Sequence, residues 1–336
     1  MPGARLEPIA VIGAGSWGTA LAIQLARTGQ TTRLWGRDPA QLEAMRIARR
    51  NVRYLPDAEF PSTLELLTDL GAALAGARDV LIAVPSHALR ATLERLRADI
   101  APHTRIAWAS KGFETTTGLL PHQVALEVLG PRPGAVLSGP TFAAEVGAGL
   151  PTAMTVASHD AAFAQALAQR LSGPRFRTYT QSDIVGVEVG GAVKNVIAIG
   201  SGIADGMGFG ANTRVALITR GLAEMMRLGV KLGAARETFM GLAGLGDLVL
   251  TCTDDQSRNR RLGLALGRGR SLAEAQEEIG QVVEGITASG AVQRVAARLD
   301  VEMPICIEVY RVMHESRPVR AAVQALMGRE MRAETE

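Results

Sequence analysis

The stretch IAVIGAGSWGTALAIQLARTG, residues 9–29, decides how the first half of this chain folds. Ile9-Ala10-Val11-Ile12 is apolar throughout and runs into Gly13-Ala14-Gly15-Ser16-Trp17-Gly18; a helical pattern then continues to Gly29. A strand with no polar interruption suits a parallel sheet covered on both faces. The glycines of G-x-G-x-x-G have separate tasks. Gly13 permits a tight turn, Gly15 lets a pyrophosphate approach the backbone, and Gly18 lets helix and strand pack closely. Free amides and the helix dipole then face the phosphates. Taken alone the pattern also fits an ordinary glycine-rich turn, but its place between strand and helix points to a dinucleotide.

The next strand, TTRLWG (31–36), bears on which dinucleotide. An NAD-type site carries an acid about 20 residues after the glycines, bonded to the ribose hydroxyls. Here Gly36 stands in that place and Arg37 follows, a cation able to pair with a 2′-phosphate. The alternative is that Arg37 is merely exposed before a helix. The reading favours NADP(H), with NAD(H) possible.

Outward from this unit, short apolar runs alternate with helical patterns. Further strands are expected at 79–85, 104–110, 134–140, 152–158 and 175–180, with helices over 39–50, 86–98 and 160–172. Such alternation implies a parallel sheet with helices on both faces. From 183 strand signals mostly stop, and helices are expected over 183–203, 212–229, 236–250, 258–299, 304–315 and 318–327. The expected fold is α/β: an N-terminal Rossmann-type doubly wound sheet, residues 1–185, followed by an all-α C-terminal domain, residues 186–336. The charged end GREMRAETE (328–336) reads as a frayed tail.

Composition narrows the function. With 336 residues, 47% hydrophobic and 21% charged, the chain can build a large core. A net charge of +3 and the absence of long basic runs argue against nucleic acid and suit a small anionic ligand. Cys252 and Cys306 form no close pair, and the five histidines show no metal-ligand spacing, so no metal is expected. Reduced thiols and no export-type N-terminus lead to an expected cytoplasmic location. Glu188, Lys194 and Asp205 interrupt the most apolar window, so no membrane span is expected.

One bias singles out a residue. Of the 36 basic residues only Lys111, Lys194 and Lys231 are lysines, leaving 36 − 3 = 33 arginines. Lysine can release its proton at a reachable cost and arginine effectively cannot. Lys194 lies in GGAVKNVIAIG (190–200), where a charge among aliphatic neighbours is costly unless something uses it. Asp247 is a second isolated charge, in GLAGLGDLVL, of the sign that would pair with Lys194. A buried salt bridge with no chemical task is the competing reading. Ser257-Arg258-Asn259 looks like a helix start, with Ser257 as N-cap and Arg258 supplying a fork of donors for a phosphate; a solvated basic face is the alternative. Lys111 and the turn Ser138-Gly139-Pro140-Thr141-Phe142-Ala143 each follow a strand, where doubly wound sheets bind ligands, though ordinary loops would read the same way.

With those residues in hand, the chain resembles the bacterial NAD(P)-dependent glycerol-3-phosphate dehydrogenase family. GAGSWGTALA, VPSHALR, SKGFE, SGPTFAAEV, GGAVKNVIAIGSGIADGMGFGANTRVALITRGLAEM, GLAGLGDLVLTCTDDQSRNRRLG and VVEG carry the likeness, in family order, from residue 9 to about 285. The resemblance implies reversible reduction of dihydroxyacetone phosphate to sn-glycerol 3-phosphate, a supply for phospholipid synthesis, by a homodimer. It implies Lys194 as proton donor and acceptor. Lys111, Gly139, Thr141, Asp247, Ser257, Arg258 and Asn259 would line the substrate. Ser16, Trp17, Arg37, Lys111, Ala143, Arg258, Val282 and Glu284, beside the glycine motif, would meet the cofactor. Arg37 falls where the family itself varies.

Overall fold

A computed structural model describes residues 7–330 and Ala333, so most of the charged tail and the first six residues lie outside the description. The chain divides into two compact units. One holds the residues up to Glu114 together with Leu119–Glu188; the other holds Thr115–Gly118 and the residues from Val189 onward.

The first unit is built on an eight-stranded sheet. Its strands are β1 (Ile9–Ile12), β2 (Thr32–Trp35), β5 (Leu64–Leu67), β6 (Asp79–Ile82), β7 (Arg105–Trp108), β8 (Gly134–Ser138), β9 (Thr152–Ala157) and β10 (Phe176–Gln181). Two further strands, β3 (Arg50–Asn51) and β4 (Leu55–Glu59), form a separate hairpin. The sheet order is β10-β9-β8-β7-β6-β1-β2-β5. The chain moves from β1 outward to β5, then returns to the other side of β1 as β6 and continues to the opposite edge. In sheets wound this way, ligands bind at the carboxyl ends of the strands where the order reverses, here between β1 and β6. The four residues of β1 are fully buried, as an apolar strand covered on both faces must be.

Three features depart from the sequence reading. The edge strand β5 and the β3–β4 hairpin were not expected. Leu64-Glu65-Leu66-Leu67 alternates over only three residues, too short a signal for a strand, and it takes that form by pairing with β2. Second, β8 and β9 run antiparallel, the one such pair in an otherwise parallel sheet. Between them lies a helix of six residues, Ala143–Ala148. At ~1.5 Å per residue it spans ~9 Å, too short to carry the chain back along five strand residues at ~3.3 Å each. The chain therefore turns back at the carboxyl end. Third, the helix expected over 236–250 is three pieces: a 3₁₀ turn Arg236–Met240, a π-helical turn Leu242–Gly246 and an α-helix Asp247–Thr253. Gly244 makes the tight corner, since a Cβ there would lie 2.2 Å from the Phe239 carbonyl oxygen.

Among the described residues the second unit is helical apart from its turns, and its longest element is the helix Ile184–Gly206, which begins in the first unit. By length and composition this helix could cross a membrane, yet 89% of its apolar window is buried inside the protein. The helix Arg258–Gly267 lies alongside it in the same direction. A Cβ on Gly263 would meet the Ile199 carbonyl oxygen at 2.1 Å, and one on Gly267 would meet that of Ile203 at 2.4 Å. Glycine here lets two backbones touch.

Candidate functional site

The first unit contributes a cradle made largely by omitting side chains. Gly13 has φ +120°, and a Cβ there would sit 2.7 Å from the carbonyl oxygen of Ala83, just past β6 at the reversal of strand order. A Cβ on Gly18 would collide with the Gly13 carbonyl oxygen at 1.9 Å, whereas nothing lies within 4 Å of a Cβ built on Gly15. The turn is thus closed beneath and open above. Gly15 caps the helix Ser16–Arg27 without a side chain, leaving the first amides for a ligand. The buried indole nitrogen of Trp17 finds no partner among the described residues. This space, amide-lined and with a spare donor, fits a pyrophosphate-bearing dinucleotide.

The cradle is braced from behind by residues the sequence reading missed. Gln41 Nε2 and Asn51 Nδ2 donate to the Ala14 carbonyl at 2.9 and 3.2 Å, and Asn51 also donates to Thr19 Oγ1 at 2.9 Å. Gly36 is buried against Ala14, where a Cβ would approach the Ala14 methyl to 2.9 Å, so no acid fits. Asp38, next along, accepts from Ala40 N and Gln41 N as a helix cap. Arg37 is exposed and makes no hydrogen bond or ion pair among the described residues.

Lys111, half-buried, follows β7, and Gly112 beyond it has φ +122°. Ser110 Oγ donates to the Val84 carbonyl at 2.5 Å and ties that turn to the one after β6. Gly139 has φ +153°, Thr141 Oγ1 donates to its carbonyl at 3.2 Å, and Ala143 opens the short helix after β8. β1, β6, β7 and β8 run parallel, so all these turns lie at one edge of the sheet. Beside them Glu188 is buried, accepting from Trp108 Nε1 at 2.7 Å and His122 N at 2.9 Å, with His122 Nδ1 at 2.5 Å. Burial pushes the Glu188 carboxyl above its usual range, against the pull of these donors.

The second unit holds the buried lysine–aspartate pair. Lys194 is 7% exposed; its Nζ donates to Asp247 Oδ1 at 2.5 Å and Thr251 Oγ1 at 3.1 Å. Thr251 passes its own hydrogen to the Asp247 backbone carbonyl at 2.5 Å, which turns a hydroxyl lone pair toward the ammonium. Asp247 opens its helix directly after the π-helical turn, where a carboxylate is favoured by the helix dipole. The charge is thus paired and hydrogen-bonded, the condition for keeping it buried.

The parallel helices bring the other residues level with this pair. Asn259 Nδ2 donates to Asn195 Oδ1 at 2.9 Å, and the contacts of Gly263 with Ile199 and Gly267 with Ile203 keep the same offset of 64 residues. The start of the helix Arg258–Gly267 therefore stands beside Lys194's neighbour. Ser257 caps that helix, accepting from Arg260 N at 3.2 Å. Arg258 is half-buried and makes no hydrogen bond or ion pair among the described residues. Asn259 Oδ1 accepts from Gly285 N at 2.8 Å, and Asn195 Nδ2 donates to Glu284 Oε2 at 3.5 Å. Val282, 60% exposed, precedes this turn. Thr251 and Asn195 escaped the sequence reading, although Asn195 adjoins the lysine that drew attention.

Comparison with known proteins bears on both units. Residues 8–164 match the family model for the NAD-dependent glycerol-3-phosphate dehydrogenase N-terminus, and residues 183–324 match that for the C-terminus. A glycerol-3-phosphate dehydrogenase (NAD(P)+) of Edwardsiella ictaluri is 58% identical over 97% of both chains. That of Nitrosococcus oceani is 57% identical over 96% of this chain and 94% of its own. The crystal structure of glycerol-3-phosphate dehydrogenase from Coxiella burnetii superposes with a TM-score of 0.93 at 50% identity, covering 96% of this chain and 99% of that one.

Proposed function

The chain belongs to the NAD-dependent glycerol-3-phosphate dehydrogenase family, an NAD(P)-dependent oxidoreductase family, and from that premise we propose that it interconverts dihydroxyacetone phosphate and sn-glycerol 3-phosphate with Lys194 as general acid and base. When bound, the nicotinamide supplies the hydride. The chain's own task is the oxygen. As the ketone carbon is reduced, negative charge grows on its oxygen, which needs a positive neighbour and then a proton. The Lys194 ammonium meets both needs, and in the reverse direction the amine takes the proton back. Asp247 balances the ammonium's charge, while Thr251 fixes the direction of Nζ.

Arg258, with the free amides at the start of its helix, would take the substrate phosphate. Holding a group remote from the reacting carbon raises turnover by fixing geometry. The observation that carries this reading is the parallel register that sets Asn259 against Asn195, next to Lys194. In the first unit the glycine cradle with Ser16, Trp17, Lys111, Gly139, Thr141 and Ala143 would serve the cofactor and substrate. Gly36 and Arg37 favour NADP(H) over NAD(H). The free thiols of Cys252 and Cys306 agree with a reducing, cytoplasmic setting. The family resemblance supports a homodimer feeding glycerophospholipid synthesis.

The test follows NADPH and NADH oxidation by absorbance with dihydroxyacetone phosphate, unphosphorylated dihydroxyacetone and several keto acids. Fast turnover is expected with dihydroxyacetone phosphate alone. Equal turnover of dihydroxyacetone would remove the phosphate receptor, and preference for a keto acid would remove the substrate assignment.

A further inference from the structure

Arg258-Asn259-Arg260-Arg261 is one basic run, yet its three arginines stand in different surroundings. Arg261 is exposed. Arg258 is half-buried, with no hydrogen bond or ion pair among the described residues. Arg260 is 7% exposed and spends its guanidinium on protein: Nη1 donates to Asp205 Oδ2, and Nε donates to Asp255 Oδ1 at 2.9 Å. Asp205 lies in the last turn of the helix Ile184–Gly206, and its side chain is only 7% exposed. It also receives Arg214 Nε at 2.9 Å, from the first turn of the helix Ala211–Lys231.

We infer that Arg260 and Asp205 form a positioning clamp that holds the first turn of the helix Arg258–Gly267 in register, so that Arg258 and the free amides face the substrate phosphate. The inference rests on the phosphate-receptor reading above. A helix turn carrying three cations could present any of them to an anion; a ~100° rotation per residue separates the choices. Two constraints remove that freedom. Gly202 packs against the backbone of Arg260, where a Cβ would lie 2.1 Å from the Arg260 carbonyl oxygen, which sets the distance between the helices. The Arg260 fork, gripped by carboxylates from two sides, sets the rotation. The Asn195–Asn259 bond is near Lys194, whereas Asp205 stands ten residues further along the same helix, so the adjacent residues Asn259 and Arg260 reach two separate anchors on it. The turn is therefore pinned at two separated points. Arg260 and Asp205 act through Arg258 and touch no reacting atom.

Asp205→Asn keeps the shape and one acceptor but drops the charge; Arg260→Lys keeps a charge but cannot reach both carboxylates. Each is expected to raise KM for dihydroxyacetone phosphate about ten-fold, since loosening a positioned group by about 1 Å costs one to two orders of magnitude. The slow turnover of unphosphorylated dihydroxyacetone should stay within about two-fold. A merely structural defect lowers the folded fraction, hence apparent kcat, and leaves KM alone. Asp255→Asn, at a carboxylate whose side chain is 70% exposed, is the variant that folds in any case. Its KM for dihydroxyacetone phosphate should rise about two- to three-fold, in line with a screened partner. Arg258→Ala is the control: an unchanged KM there would end the phosphate-receptor reading itself. If Arg258→Ala raises KM while Asp255→Asn and the folded buried variants leave it at the wild-type value, the clamp is refuted and the receptor stands.

Discussion

The two units solve opposite problems with opposite means. In the first, the cradle is made by leaving side chains out: Gly13, Gly15 and Gly18 bring backbone close to backbone and leave a space over amides. In the second, the site is made by inserting charge where charge is costly, with Lys194, Asp247 and Thr251 satisfying one another inside an apolar helix packing. The glycine turn itself is local, because Gly13, Gly15 and Gly18 lie within one short stretch and act through backbone, although Gln41, Asn51 and Ala83 support it from further along the chain. The charged site is non-local: Lys194 and Asp247 are 53 residues apart, and Asn195 and Asn259 are 64 apart. A backbone device tolerates many surroundings, whereas a buried ion pair depends on every neighbour that desolvates or bonds it.

The largest effect should come from removing the buried cation. Lys194→Met keeps length and removes the transferable proton, and turnover should fall by at least ~10²–10⁴-fold. NADPH affinity, read by fluorescence titration, should survive, because the cradle does not depend on this residue. Loss of both together would break the contrast between the units. Near-normal turnover would end the acid–base role.

A smaller effect sharpens the other side. Arg37→Ala should lower kcat/KM for NADPH about ten-fold relative to NADH, the loss of one charge-assisted phosphate contact. Steady-state rates with the two coenzymes check it. An unchanged ratio would mean that the cradle selects by backbone alone.

The smallest effect concerns a buried charge outside the proposed site. Glu224 is 1% exposed, and its carboxylate caps the helix Pro304–His314 by accepting Ile305 N at 2.7 Å and Cys306 N at 3.1 Å. Burial raises its pKa from 4.5 to about 7, with the backbone bonds acting in the opposite direction. The folded-state value lies above the unfolded one, so this contribution to stability is fully present below pH 4.5 and is lost as pH rises through about 7. Glu224→Gln should flatten that part of the stability profile in urea titrations between pH 4.5 and 8. An unaltered slope would show that the carboxyl ionises as freely as in the unfolded chain.

Different parts of the molecule were legible to different degrees. The strand–turn–helix at residues 9–29 could be read directly, since apolar continuity and glycine spacing act over a few residues. The strand β5 could not, because Leu64–Leu67 has little local preference and owes its state to its pairing with β2. The break of 236–250 into three turns escaped notice for a related reason. Its glycines look tolerable in a helix until Phe239 and Ala243 are seen packed against Gly244 and Gly190. Lys194 and Asp247 were each visible as a charge in the wrong company.

From the amino-acid order alone came the class of fold, the glycine cradle and the suspicion attached to one lysine. These follow from chain stiffness, periodicity and the cost of burying charge, which are properties of short segments. Only the packed molecule could decide that Thr251 orients the ammonium, that Arg260 is occupied while Arg258 is not, and that β8 and β9 run antiparallel in an otherwise parallel sheet. Those outcomes depend on which distant segments come within 3 Å of each other, and contact over such a distance is created by folding, with no trace in local composition.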